Sequence, residues 1–413
     1  MTPRASRASG AATAVHPGRQ VRTLVVSDDP AWPADSGGRQ RLQHILRGLQ
    51  EAGPVHWVTV VPRDQLVGPP PRGLTDRADV LVAPPLDRGQ TARRWLTGSS
   101  PKDVAARDWR SARALLPTLT TGGYDLVWFE RPEVYAALDA VAPAGPRVLD
   151  LDNVMSVLTM RMAWTMSTRW KLPLHAVDAI RWRRLEQQAT RACQAVLVCS
   201  ERDRRRLGGT SRVVPNGYEM PPEPRPTLAD RGMVLLLVAS LHWPPNASGA
   251  VWFAHEVLPL VRQQVPGATL RIVGTSGDRL DVPALAALPG VEVVGYVEDV
   301  LEQLDDSAVV VVPLKAGGGT RVKVLEAFAA GVPVVSTRIG CEGIEAAPGR
   351  DLLVADDPRG FASACIRLLT DRAEAQQISQ SARQVYLAKY QWAMLRSLVT
   401  EVARQAAAAR VPV

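Results

Sequence analysis

A chain of 413 residues is longer than one hydrophobic core usually serves, so two domains of about 150 to 200 residues each are the first expectation. Its 46% hydrophobic and 22% charged residues exclude a fibrous or largely disordered protein, and no apolar run reaches the roughly 18 residues of a membrane span. The balance of 49 Lys+Arg against 41 Asp+Glu, a net +8, suits an anionic small molecule, an acidic membrane surface or nucleic acid without choosing among them.

Residues 1–20, "MTPRASRASGAATAVHPGRQ", carry charge but no apolar segment of the kind that drives secretion, so a disordered tail and a cytoplasmic chain are expected. Short β-branched runs then alternate with helical patterns: "RTLVVS", "HWVTVV", "DVLVAP", "DLVWFE", "RVLDLD" and "AVLVCS", followed by "VLLLVAS", "LRIVG", "VEVVGYV", "AVVVVPL", "PVVST" and "DLLVAD". This alternation predicts an α/β protein with parallel sheets covered on both faces. A dozen strands exceed the eight of a (β/α) barrel and divide better into two open, doubly wound sheets of about six. The division falls at "YEMPPEPRPTLADR", residues 218–231, rich in proline and charge and without apolar periodicity. Two Rossmann-like domains, 21–217 and 232–390, are therefore expected to face each other across a cleft, with ligands at the carboxyl ends of their strands.

After the first strand, "SDDPAWPADSGGRQRLQHILRGL" places Ser36 as a helix cap and Leu42, Ile45, Leu46 and Leu49 on one helical face. Gly37 and Gly38 lead that helix, and Arg39 and Arg41 follow in its first turn. The second half repeats the arrangement in "VVPLKAGGGTRVKVLEAFAAGVPVVST", where glycines precede Arg321 and Lys323. Cations at the amino end of a helix oppose its macrodipole. They are either solvated surface charges or half of an anion site, in which glycine admits a phosphate to the backbone N–H groups and the cation completes its neutralisation. Both readings stand for Arg39 and Arg41; "GGGT" favours the anion site for Arg321 and Lys323. Glu326, three residues after Lys323, either pairs with it or meets the ribose hydroxyls of a nucleotide. The absence of GxxxxGK[ST], and of GxGxxG after any strand, argues against ATP hydrolysis and nicotinamide chemistry.

Asp150 and Asp152 in "VLDLDN" form a literal DxD, but no further carboxylate or His cluster accompanies them, so no metal is expected. Asp152 reads as a helix cap or as a cleft carboxylate that orients an acceptor hydroxyl. Residues 155–185 interleave Met, Trp and Arg or Lys, a pattern for cleft-lining helices or for peripheral contact with the inner face of a membrane. Nucleic acid is not expected as a partner. Cys193, Cys199, Cys341 and Cys365 show no metal or CxxC spacing and are expected to be reduced, buried and inert.

In order along the chain, "DSGGRQR", "VLDLDNVMS", "RLEQQATRACQAVLVCSERDRRRL" with "RVVPNG", "ASLHWPPNASGAVWFAHEVLPLV", "VEVVGYVEDV", "VPLKAGGGTRVKVLEAFAAGVPVVST" and "YQWAMLRSL" resemble GT-B glycosyltransferases of the retaining group 1, or family 4, kind. The resemblance implies a C-terminal helix, within 391–413, that returns to the first domain. It implies that Glu326 holds the ribose, that Thr320, Arg321 and Lys323 hold the diphosphate, and that backbone around Tyr296 and Val297 meets the base of a nucleotide sugar. Gly37 and Gly38 would close on the phosphates and the acceptor, and Gly318 and Gly319 would belong to the donor loop. This chain departs from the family at Gly318, where a glutamate often touches the transferred sugar, in "SLHWPPNASG", which lacks the usual Arg and Lys, and at Asp152, where a His is common. The expected function is retaining, metal-independent transfer from a nucleoside diphosphate sugar, with no other cofactor, to a hydroxyl of a small molecule, glycan or glycolipid. Asp152, Arg321 and Lys323 would be its catalytic residues. A nucleotide-sugar epimerase of the same fold and a non-catalytic binding subunit are the alternatives.

Overall fold

The computed structural model describes residues 19–409 apart from 35, 66, 67, 69, 70, 167, 168, 224, 229, 277–280 and 320. Residues 1–18 of the expected tail and Thr320 lie outside the described residues.

The first domain is built on strands β1 (Thr23–Ser27), β2 (Val55–Val61), β3 (Arg77–Val82), β4 (Leu126–Glu130), β5 (Arg147–Asp150), β6 (Ala195–Val198) and β7 (Ser211–Val213). They pair in the order β3-β2-β1-β4-β5-β6-β7, parallel throughout. The second contains β8 (Val234–Val238), β9 (Thr269–Val273), β10 (Val291–Gly295), β11 (Val309–Val312), β12 (Val334–Ser336) and β13 (Leu353–Val354), again all parallel, in the order β10-β9-β8-β11-β12-β13. Helices on both faces cover the sheets, which is why β1, β2, β4, β6 and β11 are buried along their whole length and read as unbroken apolar runs. The first sheet has seven strands where about six were expected. The extra one, β7, is a three-residue edge strand, too short to show a period.

The helices that shape the cleft are α1 (Gly37–Ala52), α2 (Met155–Met166), α3 (Leu172–Ala192), α4 (Val322–Ala329) and α5 (Trp392–Ala408). Strand order reverses at β1/β4 in the first sheet and at β8/β11 in the second, which opens a crevice at the carboxyl ends of these strands. The segments after β1 and β11 lead directly into α1 and α4, so the glycine-led helix starts stand at the two crevices.

α5 packs on the first domain, although the second domain precedes it in sequence. Val399, Val402, Ala403 and Ala406 join Leu42, Ile45, Leu46 and Leu49 in one core. The approach is close enough that a Cβ at Gly48 would lie 2.9 Å from the Val399 Cβ, and Thr400 Oγ1 donates to the Gly48 carbonyl at 2.7 Å.

Ser36 caps α1 by accepting from the Arg39 N–H at 3.4 Å. Arg41, one of the two cations of this first turn, is fully buried. It grips Asp150 through Nε and Nη2 at 3.0 and 2.9 Å, and its Nη1 donates to the Val214 carbonyl at 3.0 Å and to Asn216 Oδ1 at 2.9 Å. Neither the solvated nor the phosphate-facing reading holds for Arg41, since it ties α1 to β5 and to the chain after β7. Removing one partner would leave the other charge buried and alone, so Arg41→Ala should destabilise the first domain by about 3 to 5 kcal/mol. Arg41→Met with Asp150→Leu should recover most of that loss; urea unfolding followed on the first-domain transition provides the measurement.

Candidate functional site

Gly317 and Gly319, with φ of 136° and 68°, lead from β11 into α4 through backbone conformations that side chains rarely tolerate. Arg321 occupies the N-cap position of α4 without a side-chain capping bond, and the first turn contains no acidic residue. The Val324 N–H donates to the Arg321 carbonyl at 2.9 Å, and among the described residues no side-chain cap serves the N–H groups that precede it. Arg321 Nη1 donates to the Gly318 carbonyl, whereas its Nε and Nη2 are buried without a hydrogen-bond partner among the described residues. Lys323 Nζ approaches Asn246 Oδ1 at 3.3 Å, and no ion pair joins it to Glu326 among the described residues. Burial, and in the case of Lys323 the neighbouring Arg321 charge, lowers Arg321 to about 10 and Lys323 to about 8; burial raises Glu326 to about 7. The folded chain thus holds two cations and a carboxylate in places that disfavour their charged forms.

The amino end of α1 faces this helix start from the other domain. A Cβ at Gly37 would stand 3.0 Å from Val322 Cγ2, so Gly37 lets the two helix ends meet. Between the domains lies a cavity of about 630 Å³. Ser36, Gly37 and Arg39 line it from the first domain, and Asn246, Tyr296, Val297, Arg321, Lys323 and Glu326 from the second. Its size is that of a small-molecule site. Arg39 pairs with Asp29 at 2.8 Å on its wall, turned to the cleft where Arg41 is turned to the sheet.

Six of the expected site residues, Gly37, Tyr296, Val297, Arg321, Lys323 and Glu326, therefore share one cavity. Gly38 abuts Arg131, whose Nη2 would lie 2.9 Å from a Cβ there. Gly318 and Gly319 line a separate narrow crevice with Leu158, Arg161 and Glu342. Asp152 does not cap α2, because the Ser156 N–H donates to Glu186 at 2.9 Å. Its Oδ1 instead accepts from Asn216 Nδ2 at 3.2 Å and from Cys199 Sγ at 3.3 Å, and its Oδ2 accepts from Asn153 Nδ2 at 3.1 Å. With Asp150 committed to Arg41, the DxD pair does not present two carboxylates to an ion, and among the described residues no group of three His, Cys, Asp or Glu is placed to hold one. The cysteines are all free; Cys341 is only partly buried, contrary to expectation, and Cys199 takes part in the Asp152 network.

Other residues of the site have weaker local signals. Asn246 lies in the "SLHWPPNASG" segment that lacks the family's cations and instead offers an acceptor to Lys323. Arg161 of α2 reaches across to Glu342 at 2.5 and 2.9 Å and to the Gly317 carbonyl at 3.1 Å. Arg206 stands 3.9 Å from Glu342, and Arg202 also contacts it. Arg131 and Asp152 are the two non-glycine residues with positive φ among the described residues, at 80° and 51°, and they directly follow β4 or lie two residues past β5 on the cleft side. Such strain clusters at functional sites.

Residues 232–371 match the family model described as glycosyl transferases group 1. An uncharacterized 44.6 kDa protein in the cps region of Klebsiella pneumoniae is 27% identical over 135 residues, 31% of this chain and 35% of that one, so the match spans about a third of the relative. Among solved structures, sucrose-phosphate synthase from Thermosynechococcus elongatus superposes with a TM-score of 0.69 at 18% identity, covering 94% of this chain and 99% of that one. WaaG, a glycosyltransferase involved in lipopolysaccharide biosynthesis, gives 0.67 at 13% identity, with 92% and 99% covered. HepE from Anabaena in complex with UDP-glucose gives 0.64 at 14%, with 92% and 98% covered. At these identities the likeness concerns the fold, which is GT-B.

If the charges of α4 stand ready for an anion, removing them relieves a conflict in the empty protein and abolishes its binding. Arg321→Ala with Lys323→Ala should melt, without ligand, at the same temperature as the parent or slightly higher, since both pKa values are lowered by folding. Its affinity for nucleoside diphosphates should fall by about 2 to 5 kcal/mol in calorimetry. Unchanged affinity, or a clearly less stable empty protein, would show that the two cations do not serve an anion site.

Proposed function

We propose that this protein, whose residues 232–371 match the model of the group 1 glycosyl transferases, moves a sugar from a nucleoside diphosphate sugar to an acceptor hydroxyl with retention of configuration and without a metal. The observation that carries this reading is the meeting of two helix amino ends, Gly37 and Val322, over a cavity lined by Arg39, Arg321 and Lys323. Phosphates there satisfy the uncapped N–H groups of α4 and the orphaned Arg321 donors, turning repulsion into complementarity. Glu326, one turn further along α4, is placed for the ribose diol, and its carboxylate gains acceptor strength when ionised above about pH 7. Tyr296 and Val297 offer backbone to the base.

As the bond between the sugar's anomeric carbon and the diphosphate breaks, negative charge grows on the leaving oxygen, where Arg321, Lys323 and fixed N–H groups stabilise it. The acceptor hydroxyl attacks from the face the diphosphate vacates and passes its proton to that oxygen, so no strong protein base is required. The Asp152 carboxylate, held by Asn216, Cys199 and Asn153, serves as a fixed dipole beside the acceptor. The acceptor class is a small molecule, glycan or glycolipid.

A membrane-borne acceptor is favoured by the surface of α2 and α3. Trp164 and Trp170 are 72% and 70% exposed, Leu174, Val177 and Ile180 are exposed on α3, and Lys171 and Arg184 stand among them. Aromatic and basic side chains together suit an anionic lipid surface. No helix among the described residues is long and apolar enough to cross a membrane, so the contact would be peripheral.

Two measurements test these readings. Mass-spectrometric screening against UDP-, GDP- and dTDP-sugars should show release of one nucleoside diphosphate at a rate that EDTA does not change; activity lost in EDTA and restored only by manganese would overturn the metal-independent mechanism. The protein should co-sediment with vesicles containing anionic phospholipid but not with neutral ones, and Trp164→Ala with Trp170→Ala should abolish sedimentation while leaving soluble-donor hydrolysis intact.

A further inference from the structure

The order of groups along α4 gives the bound donor a direction. Glu326 lies in the second turn, Lys323 in the first, and Arg321 at the cap. A nucleotide with its ribose at Glu326 and its diphosphate at Lys323 and Arg321 must project its sugar past the amino end of the helix, over the loop of Gly317, Gly318 and Gly319. That loop has no side chain to offer the sugar.

Another residue occupies the space where a loop side chain would be. A Cβ at Gly318 would stand 2.9 Å from Asn153 Oδ1, and one at Gly319 only 2.7 Å. Asn153 belongs to the first domain, so its amide hangs over the donor loop from across the cleft. It is aimed by a chain of hydrogen bonds: Arg41 Nη1 holds Asn216 Oδ1 at 2.9 Å, Asn216 Nδ2 holds Asp152 Oδ1 at 3.2 Å, and Asp152 Oδ2 accepts from Asn153 Nδ2 at 3.1 Å. The positive φ of Asp152, 51°, turns the chain so that the next residue leaves the line of β5. With Nδ2 bound to Asp152, Oδ1 faces the glycine loop as an acceptor.

We propose that Asn153 is the side chain that recognises the donor sugar, its Oδ1 accepting a hydrogen bond from a sugar hydroxyl beside the loop where Gly318 and Gly319 offer no side chain. This inference rests on the nucleotide-sugar reading of the site. Because the amide comes from the first domain and the nucleotide contacts come from the second, the nucleotide can bind without Asn153, whereas the sugar is recognised only when the cleft is closed. Asn153 and a side chain at 318 are alternatives, since each needs the volume of the other.

The test compares nucleoside diphosphates with their sugars on the full chain. Parent and Asn153→Ala are titrated calorimetrically with UDP, GDP and dTDP and with UDP-, GDP- and dTDP-sugars. For the nucleotide that binds, Asn153→Ala should leave diphosphate affinity within about twofold and weaken the nucleotide sugar about tenfold, the effect of one lost hydrogen bond. Gly318→Glu, which displaces Asn153, should bind the nucleotide sugar worse than Gly318→Glu combined with Asn153→Ala. Equal losses for diphosphate and nucleotide sugar, no loss for either, or a double variant no better than Gly318→Glu alone would overturn the role of Asn153. A parent that binds none of the diphosphates or sugars would overturn the functional reading itself, a result distinct from any of these.

Discussion

The buried pair of Arg41 and Asp150 sets the geometry on which the cleft depends. Its guanidinium takes two oxygens of Asp150 on β5, the Val214 carbonyl and Asn216, and so fixes α1 at once to the middle of the sheet and to the chain leaving β7. A pair of this kind adds little net energy over well-packed apolar residues, because desolvation offsets its attraction. What it supplies is direction: five donors in a rigid fork match one arrangement of acceptors. α5 holds the opposite side of α1, where Gly48 lies against Val399. Fixed on both sides, α1 can point its amino end at Val322 with a closeness that only glycine at position 37 allows.

The two helix starts look alike in sequence and differ in chemistry. At α1 the Ser36 hydroxyl caps the Arg39 N–H, so this end has a side-chain acceptor of its own. At α4 no side-chain cap is present among the described residues, and Nε and Nη2 of Arg321 have no partner there. Under the proposed function this asymmetry divides the labour, with the second domain binding the diphosphate and the first covering it. The low pKa of Lys323, about 8, and the high one of Glu326, about 7, express the same preparation, since both groups recover their ordinary charge states once an anion and a diol are beside them.

Much of this was legible in the sequence wherever the physics is local. Two parallel sheets follow from apolar runs that alternate with helical periods, and only β7, three residues at a sheet edge, carried too little pattern to be read. The glycine-cation motif led to α4, and Tyr296, Val297 and Glu326 do share its cavity. The reading of Arg39 and Arg41 together was not resolvable from composition, yet helical geometry separates them: two residues apart means opposite sides, and Arg41 shares its side with Ile45 and Gly48, which are buried. Lys323 and Glu326 illustrate the reverse, a spacing that permits an ion pair where Lys323 Nζ instead stands by Asn246 Oδ1 at 3.3 Å. Contacts between domains left no sequence trace, for Arg161 and Glu342 are 181 positions apart.

Under the proposed function, closure of the cleft and binding of charge are one equilibrium. Gly37, Asn153, Leu158 and Arg161 of the first domain reach α4 or its glycine loop, and each makes its contact only when the domains are together. The strongest of these, Arg161 with Glu342, is a partly exposed pair with side chains 23% and 12% accessible, so its contribution is modest and weakened by salt. Against it stand two positive helix ends and the charges of Arg321 and Lys323, while Arg39 is paired with Asp29 on the wall of the same cavity. With nothing between them, closing costs electrostatic energy; with a diphosphate between them, the same approach is favourable. Under the proposed function the sign of the closing energy therefore depends on the charge of what occupies the cavity, and an uncharged sugar alone would not bring the domains together as its nucleoside diphosphate form would.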